Sequence, residues 1–311
     1  MNIKIAIFSF KTNAMKVKII FPFTISLFFL LASCSKSDPG GIISPILEPE
    51  KTTMNAAYGA DAMQKMDIYL PEGRTTASTK VIILIHGGAW IGGDKTDYAT
   101  SIDSLKKRLP GYAIFNINYR LAVPGFPTST NVFPTQENDV KAAIDFIYSN
   151  RATYLISDKF VLLGASAGGH LSALQAYKYQ TPKIKAVIDY CGPTDMAAMY
   201  TDYASNPLNQ AGIAALMSGT PATNATLYSS SSPLTYVTTA NACPTIIFQG
   251  SADAIVNATT QSLALKTKLT TAGVANEYYL YAGLGHVDTW TTPTFTDSYN
   301  KIQAFLTTYV P

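Results

Sequence analysis

Residues 160–169 read FVLLGASAGG. An apolar run leads into small residues, and Gly164, Ser166 and Gly168 complete the pattern GxSxG. In a nucleophile elbow the serine occupies a strained turn between a strand and a helix, where adjacent strands leave room only for small neighbours. A glycine-rich helix start that merely packs closely would fit the same letters. Because the motif follows an apolar strand, we predict that Ser166 is a catalytic nucleophile.

A serine hydroxyl needs a base to accept its proton, and histidine is the common choice. The chain has three histidines. His86 opens the sequence HGGAW, and His170 lies on the helix after Ser166, directed away from the turn. His286 lies in GLGH, in a loop just beyond the last predicted strand. Elimination leaves His286 as the predicted base.

The base in turn needs an acidic partner that fixes its tautomer and stabilises the imidazolium. In α/β-hydrolases the chain order is serine, acid, histidine, so the acid lies between residues 167 and 285. Asp253 directly follows a predicted strand in TIIFQGSAD, at the sheet edge expected for Ser166 and His286. We therefore predict Asp253 as the acid. Asp195 is the alternative, and a plain turn residue is the non-catalytic interpretation of Asp253.

The loop HGGAW follows the predicted strand VIILI. A developing oxyanion requires backbone N–H donors, each worth about 2.7–4 kcal/mol of transition-state stabilisation. We predict Ala167, the residue after the nucleophile, as one donor. Gly87 and Gly88 are the others, since glycine lets the backbone approach a ligand closely. Trp90, in the same loop, is a candidate for the substrate pocket.

Strands and helices alternate along the chain. The predicted strands are 66–70, 81–85, 113–118, 160–163, 185–190, 245–248 and 277–281. The predicted helices are 97–109, 136–149, 167–177, 258–272 and 297–309. Runs such as VIILI are apolar on both faces, which suits a parallel sheet covered on each side. We predict an α/β fold, with a mostly parallel central sheet of about eight strands, helices on both faces and a small cap insertion.

Residues 195–241 interrupt this alternation. The segment is rich in Thr, Ser, Asn, Ala, Met and Tyr and has no clear strand. It follows the carboxyl end of a predicted strand, where open α/β sheets bind ligands, so we predict a cap over the substrate site. Tyr200, Tyr203 and Met217 are further candidates for pocket residues, although core packing explains them equally well. A surface excursion without function is the alternative for the whole segment.

These motifs together resemble the α/β-hydrolases of the lipase/esterase group with an HGG oxyanion motif. The resemblance is strongest to the bifunctional feruloyl and acetyl xylan esterase-like (BD-FAE-like) enzymes. The matching pieces are HGGAWIGGDK, FPTQENDVKAAIDF, GASAGGHLSAL, SPLTYV, QGSADAIV and GLGH. The resemblance implies Ser166, Asp253 and His286 as the triad, and acyl transfer without metal or cofactor. Two positions depart from the family: Gln249 replaces a usual histidine, and Ala89 replaces the third glycine of HGGG.

The N-terminal residues are typical of an export signal. An apolar run at residues 19–31 follows Lys16 and Lys18, and it is too short to span a bilayer core of roughly 30 Å. LASC resembles the lipobox of bacterial lipoproteins, in which Cys34 would carry the lipid. We predict a signal peptide at 1–33, a tether at 34–50 and a hydrolase domain at 51–311. Translation from Met15, and an ordinary signal with a coincidental cysteine, remain alternatives.

Charge and composition exclude several classes of function. The formal charge is +3, but four lysines lie in the first 33 residues, which leaves 19 basic against 20 acidic residues. Such a body lacks the basic surface that binds nucleic acid. Neither a zinc-binding pattern nor a nucleotide-binding loop is present in the sequence. Cys191 and Cys243 fall at opposite ends of predicted neighbouring strands, so we expect no disulfide between them.

The sequence therefore predicts a serine carboxylic-ester hydrolase, exported as a membrane-anchored lipoprotein, that acts on a small-molecule or polysaccharide ester. Acetyl and feruloyl esters of plant polysaccharide are the expected substrates. One alternative is an amidase or peptidase with the same triad, such as a formamidase or a prolyl-oligopeptidase-like enzyme. The other is a non-catalytic surface lipoprotein that uses the fold only for binding.

Overall fold

The computed structural model describes residues 47–125 and 128–311. The predicted signal peptide, Cys34 and most of the predicted tether lie outside these residues. None of the helices in the described ranges combines the length and the apolar character that crossing a membrane requires.

One eight-stranded sheet organises the domain. Its strands are β1 (Lys51–Ala57), β2 (Lys65–Leu70), β3 (Lys80–Ile85), β4 (Tyr112–Ile117), β5 (Phe160–Ala165), β6 (Ala186–Tyr190), β7 (Thr245–Gly250) and β8 (Asn276–Tyr281). Their order across the sheet is β1-β2-β4-β3-β5-β6-β7-β8. Strand β2 is antiparallel to both of its neighbours, and every other neighbouring pair is parallel. This is the predicted α/β-hydrolase fold.

Helices cover both faces of the sheet. They are α1 (Ala99–Arg108), α2 (Thr135–Ser149), α3 (Arg151–Tyr154), α4 (Ala167–Lys178), α5 (Met196–Asp202), α6 (Pro207–Leu216), α7 (Ala225–Ser230), α8 (Ala264–Thr271) and α9 (Thr292–Tyr309). Successive residues of a strand point to opposite faces. Ile82 and Leu84 accordingly pack in a core with α1 and α9, whereas Ile83 packs in a separate core with α2, α4 and α8.

Strand β1 and the start of helix α9 are among the differences from the sequence-based prediction, as is the short helix α3. Strand β1 was not predicted, because it lies at the sheet edge and its residues are mostly exposed, which leaves no apolar alternation to read. Helix α9 begins at Thr292, five residues before the predicted start, with Pro293 in its first turn. Proline is tolerated there because the N–H groups of the first turn have no partner within the helix.

Residues 195–241 fold as the helices α5, α6 and α7, followed by a 3₁₀ turn at Pro233–Tyr236. The segment is tied to the chain that follows β7. The hydroxyl of Tyr203 donates to the carbonyl of Ile255 at 2.7 Å, and Thr260 Oγ1 donates to Asp202 Oδ2 at 2.6 Å. Cys191 and Cys243 are buried thiols without a disulfide, as expected.

Candidate active site

Ser166 lies in a strained turn between β5 and α4. Its φ of 54° and ψ of −121° fall outside the regions that non-glycine residues favour, and such strain typically costs on the order of 1–3 kcal/mol. The neighbouring glycines are needed for close approach. A Cβ on Gly164 would lie 2.1 Å from the carbonyl of Gly168, and one on Gly168 would lie 1.9 Å from Ile85 O. The GxSxG pattern therefore reflects the crowding of a nucleophile elbow.

The structure brings His286 and Asp253 into direct contact. Nδ1 of His286 lies 2.7 Å from Oδ2 of Asp253. Because an ionised carboxylate only accepts hydrogen bonds, Nδ1 is the donor and carries the proton. The other ring nitrogen, Nε2, is then the lone-pair nitrogen that a general base uses.

Four groups donate hydrogen bonds to the Asp253 carboxylate. Besides His286, the side-chain amide of Gln249 donates to Oδ2 at 2.9 Å. The backbone N–H groups of Ile255 and Val256 donate to Oδ1 at 2.8 and 2.9 Å. Burial opposes ionisation of Asp253, but the hydrogen bonds from His286 and Val256 outweigh it and hold the pKa of this carboxyl below its usual value. Asp253 is therefore an anion at neutral pH.

Gln249 is a site residue whose role the sequence did not indicate. Its Oε1 accepts a 2.6 Å hydrogen bond from the Ser262 hydroxyl, which fixes the orientation of the amide so that Nε2 faces Asp253. Both side chains are fully buried. The departure from the family's histidine at this position thus preserves a hydrogen-bond donor to the acid.

Ser166 and His286 line the same cavity, together with Gly87, Gly88 and Ala89. Within residues 47–125 and 128–311, no hydrogen bond joins the Ser166 hydroxyl to the His286 ring. Catalytic hydrogen bonds of hydrolases are often long without substrate and tighten in the complex. The predicted base His286 and the predicted acid Asp253 are thus hydrogen-bonded to each other. The predicted nucleophile Ser166 lines the same cavity as His286.

The three predicted oxyanion donors are available. No backbone hydrogen bond of the described loop uses the N–H of Gly87 or Gly88, and both residues line the cavity. Ala167 is the first residue of α4, so its N–H has no partner within the helix. Gly88 has a φ of +98°, and Ala89 adopts the left-handed region at +51°. Ala89 thus takes a backbone conformation that a third glycine would adopt without strain.

The other two histidines are structural. His86 is fully buried and stacks on Tyr119 with ring centroids 4.2 Å apart. His170 is also fully buried and contacts the Ser231 carbonyl through Nε2 at 2.7 Å. Burial lowers the pKa of both, that of His170 to about 4. Neither lines the cavity, so the elimination of both as the base agrees with their positions.

The structure corrects the expectation for Trp90. Only 2% of this residue is exposed, and its indole N–H donates to His170 Nδ1 at 3.2 Å. Trp90 is not among the residues that line the cavity. A buried indole needs a partner for its N–H, and the helix residue His170 supplies one. Trp90 therefore supports the oxyanion loop from the core side.

The alternative acid, Asp195, has a different role. It is the N-cap of α5, where one carboxylate oxygen accepts from the N–H groups of Ala197 and Ala198 at 3.0 Å each. This is the ordinary function of aspartate at a helix start. Asp195 is therefore already engaged, while Asp253 faces the base.

A thiol lies beside the histidine–aspartate pair. Potential ligand atoms of Cys191, Asp253 and His286 all lie within 4.8 Å of one another. Metal binding would require a thiolate, but burial and the nearby Asp253 raise the pKa of the Cys191 thiol well above its usual value. His286 Nδ1 is also already bonded to Asp253. The cluster therefore suits proton transfer better than metal binding.

The cavity has a volume of about 660 Å³ and extends between α1 and α9, over the ends of β5 and β6. Its wall contains none of the residues 195–241. This corrects the expectation that Tyr200, Tyr203 and Met217 shape the pocket: Tyr203 and Met217 are buried in the core that also contains Ile83, and Tyr200 packs against that core. The insertion reaches the cavity only indirectly, through its hydrogen bond to Ile255.

Comparison with known proteins identifies the family of this chain. Residues 66–269 match the sequence profile of the family described as BD-FAE. The chain belongs to the BD-FAE family. Esterase LipC of Mycobacterium tuberculosis (strain ATCC 25618 / H37Rv) is 29% identical over 147 residues, which is 47% of this chain and 35% of LipC.

Two solved structures of carbohydrate esterases resemble this BD-FAE chain. One is a bifunctional GH43-CE protein from Bacteroides eggerthii, with a TM-score of 0.68 and 27% identity over 84% of this chain and 38% of that one. The other is a truncated form of a carbohydrate esterase from gut microbiota, with a TM-score of 0.66 and 28% identity over 83% and 96% of the two chains. The chain thus spans well under half of LipC and of the bifunctional protein, but nearly all of the truncated esterase.

Proposed function

We propose that this chain is a carboxylic ester hydrolase in which Ser166, His286 and Asp253 form the catalytic triad. One observation carries the proposal. The proton-bearing nitrogen of His286 is held by an anionic aspartate, and the same ring lines the cavity that contains a strained, partly exposed serine. Such an arrangement positions a base to remove the hydroxyl proton.

The reaction has two steps. Ser166 Oγ attacks the ester carbonyl carbon while His286 Nε2 takes the hydroxyl proton, and the carbonyl oxygen becomes an oxyanion near the N–H groups of Gly87, Gly88 and Ala167. The C–O bond to the alcohol then breaks, and His286 gives its proton to the leaving oxygen. Water attacks the acyl-enzyme by the same route and releases the carboxylic acid. Throughout, Asp253 stabilises the transient imidazolium.

Acetyl or feruloyl esters of plant polysaccharide are the proposed substrates. Family membership supports them, as do the carbohydrate esterases among the structural neighbours. Acetylated xylan and feruloylated arabinoxylan, assayed beside simple acyl esters, identify which ester is preferred.

The test is hydrolysis of short p-nitrophenyl esters by purified protein and by Ser166→Ala. The expected loss of kcat is about a million-fold, because members of a triad act as a unit. Unchanged turnover in Ser166→Ala would contradict the proposal. Hydrolysis of anilides with no hydrolysis of esters would indicate an amidase instead, and no turnover of either would favour a binding protein.

We further propose that the protein is exported as a lipoprotein anchored through Cys34. The support is the sequence alone: a lysine-flanked apolar run that ends in LASC. Cells given a labelled fatty acid should label the protein in the membrane fraction, and Cys34→Ser should abolish the label. Label retained in Cys34→Ser would contradict the anchor without bearing on the esterase.

A further inference from the structure

The cavity that contains Ser166 and His286 is lined by none of the residues of the helical insertion at 195–241. From Ser166 it extends between helices α1 and α9, with Leu163 and Tyr190 of the sheet as its floor. Ser104 and Leu105 contribute from α1, and Phe295 contributes from α9. We call this space the α1–α9 cavity.

The walls of the α1–α9 cavity are held in place by hydrogen bonds. The hydroxyl groups of Tyr299 on α9 and Ser101 on α1 lie 2.7 Å apart and link the two helices. The hydroxyl of Tyr190 on β6 lies 2.6 Å from Ser298 Oγ and links α9 to the sheet. The cavity is therefore preformed, as most small-molecule sites are.

We propose that the α1–α9 cavity is the acyl pocket, and that Ser104, Leu105 and Phe295 set the longest acyl group that the protein accepts. Residues 195–241 then have no direct part in acyl selection. This inference rests on the proposed esterase function and deepens it by naming the part of the substrate that the cavity holds.

The chemistry of the two steps favours the acyl group over the alcohol as the occupant. After the first step the acyl group stays bonded to Ser166 beside the Gly87–Gly88 loop, whereas the alcohol must leave. A polysaccharide as a whole is far larger than a cavity of about 660 Å³, so most of such an alcohol must lie outside it. We therefore assign the part of the cavity between α1 and α9 to the acyl group.

The size and charge of the cavity define the class of acyl group. A volume of about 660 Å³ lies in the range of pockets that hold drug-sized ligands, much more than a two-carbon acyl group fills. Among the described residues that line it, Asp97 and Asp288 are acids, and none is Lys or Arg. We therefore expect the cavity to accept neutral, apolar acyl groups larger than acetyl in addition to acetyl itself. Anionic acyl groups are disfavoured, because no cation offsets these two carboxylates.

The test narrows the cavity without touching the triad. In Ser104→Phe, an aromatic ring on α1 occupies the space beside Leu105. The ratio of kcat/KM for p-nitrophenyl octanoate to kcat/KM for p-nitrophenyl acetate should fall at least tenfold. Asp103→Phe is the matched control, since it places the same ring on the exposed face of the same helix, and its acyl-length profile should equal that of wild type.

A graded variant and a second substrate series complete the test. Ser104→Leu removes less space and should show a smaller shift in the same direction, which decides the matter if Ser104→Phe does not fold. Acetate esters of alcohols of increasing size should be unaffected by either variant. An unchanged acyl-length profile in folded Ser104 variants, or a shift in alcohol preference instead, overturns the inference while leaving the esterase intact. Failure of wild type on every ester overturns the proposed function itself.

Discussion

Two aspartates with buried side chains, Asp189 and Asp253, have pKa values that are shifted in opposite directions. Asp189 lies within β6, and Asp253 follows the adjacent strand β7. The Asp253 carboxylate accepts hydrogen bonds from four groups. Asp189 Oδ1 accepts one, from Gly192 N–H at 2.9 Å, and its Oδ2 has no partner among the described residues. The pKa of Asp253 is lowered, whereas burial raises that of Asp189 to about 7.

The comparison shows that burial alone does not produce a catalytic anion. Desolvation raises the pKa of both carboxyl groups, and only the hydrogen-bond donors around Asp253 reverse the effect. The loop after β7 supplies two of these donors from its own backbone. Asp189 lies beside the first turn of α4, where a Cβ on Gly169 would come within 2.2 Å of its Oδ1.

The largest expected effect comes from Asp253→Asn. The substituted amide cannot hold the His286 tautomer that leaves Nε2 free, so we expect kcat for a p-nitrophenyl ester to fall by about 10⁴-fold. The measurement is steady-state kinetics at pH 8, with the melting temperature as a check on folding. Asp189→Asn makes the same chemical change one strand away and should keep kcat near the wild-type value. Similar losses in both variants would remove the distinction between the two residues.

Asp189→Asn should instead change the dependence of stability on pH. An acid with a raised pKa binds more protons in the native state than in the unfolded state, so stability falls as pH rises from the unfolded value near 4 through about 7. The loss is on the order of 4 kcal/mol by pH 8. The asparagine does not titrate, so the variant should melt several degrees above wild type at pH 8 and close to it at pH 4.5. An equal difference at both pH values would show that Asp189 ionises freely.

A smaller effect should follow from changes at Gln249. Removing a hydrogen bond to a charged group costs about 1.5–3 kcal/mol, so Gln249→Ala should lower kcat/KM by about ten- to a hundred-fold. Gln249→His restores a donor of the kind usual in the family and should recover most of the activity. The pKa of the Asp253 carboxyl, followed by NMR, should move upward in Gln249→Ala, because Asp253 loses a group that favours its charged form. Equal kcat/KM values for Gln249→Ala and Gln249→His would indicate that Gln249 contributes only through packing.

The sequence predicted the fold and the pairing of base and acid because both depend on local signals. The small residues around Ser166 indicate a crowded turn between a strand and a helix. The sequence contains only three histidines, which left few candidates for the base. The succession of most strands and helices along the chain followed from alternation and apolar runs. Strand β1 was missed because an exposed edge strand carries no apolar period.

The contacts of side chains across distant segments could not be predicted in the same way. Gln249 was noticed only as a departure from the family, because its bonds to Ser262 and Asp253 depend on how the turn after β7 folds. Trp90 was a candidate for the pocket, but its side chain is buried and its indole N–H donates to His170. The direction of the cavity depends on how α1 and α9 pack together, and neither helix contains a recognisable motif.

The nucleophile elbow lies between β5 and α4, whereas the cavity walls come from α1 and α9, and this division has a practical consequence for redesign. Backbone atoms lie so close to Gly164 and Gly168 that neither position has room for a Cβ atom. Substitutions at these two positions are therefore expected to disrupt the enzyme. The walls come from two surface helices near residues 100 and 295, whose hydroxyl and aromatic side chains can be exchanged in combinatorial libraries. Selectivity can thus be evolved on a scaffold whose reactive centre is left untouched.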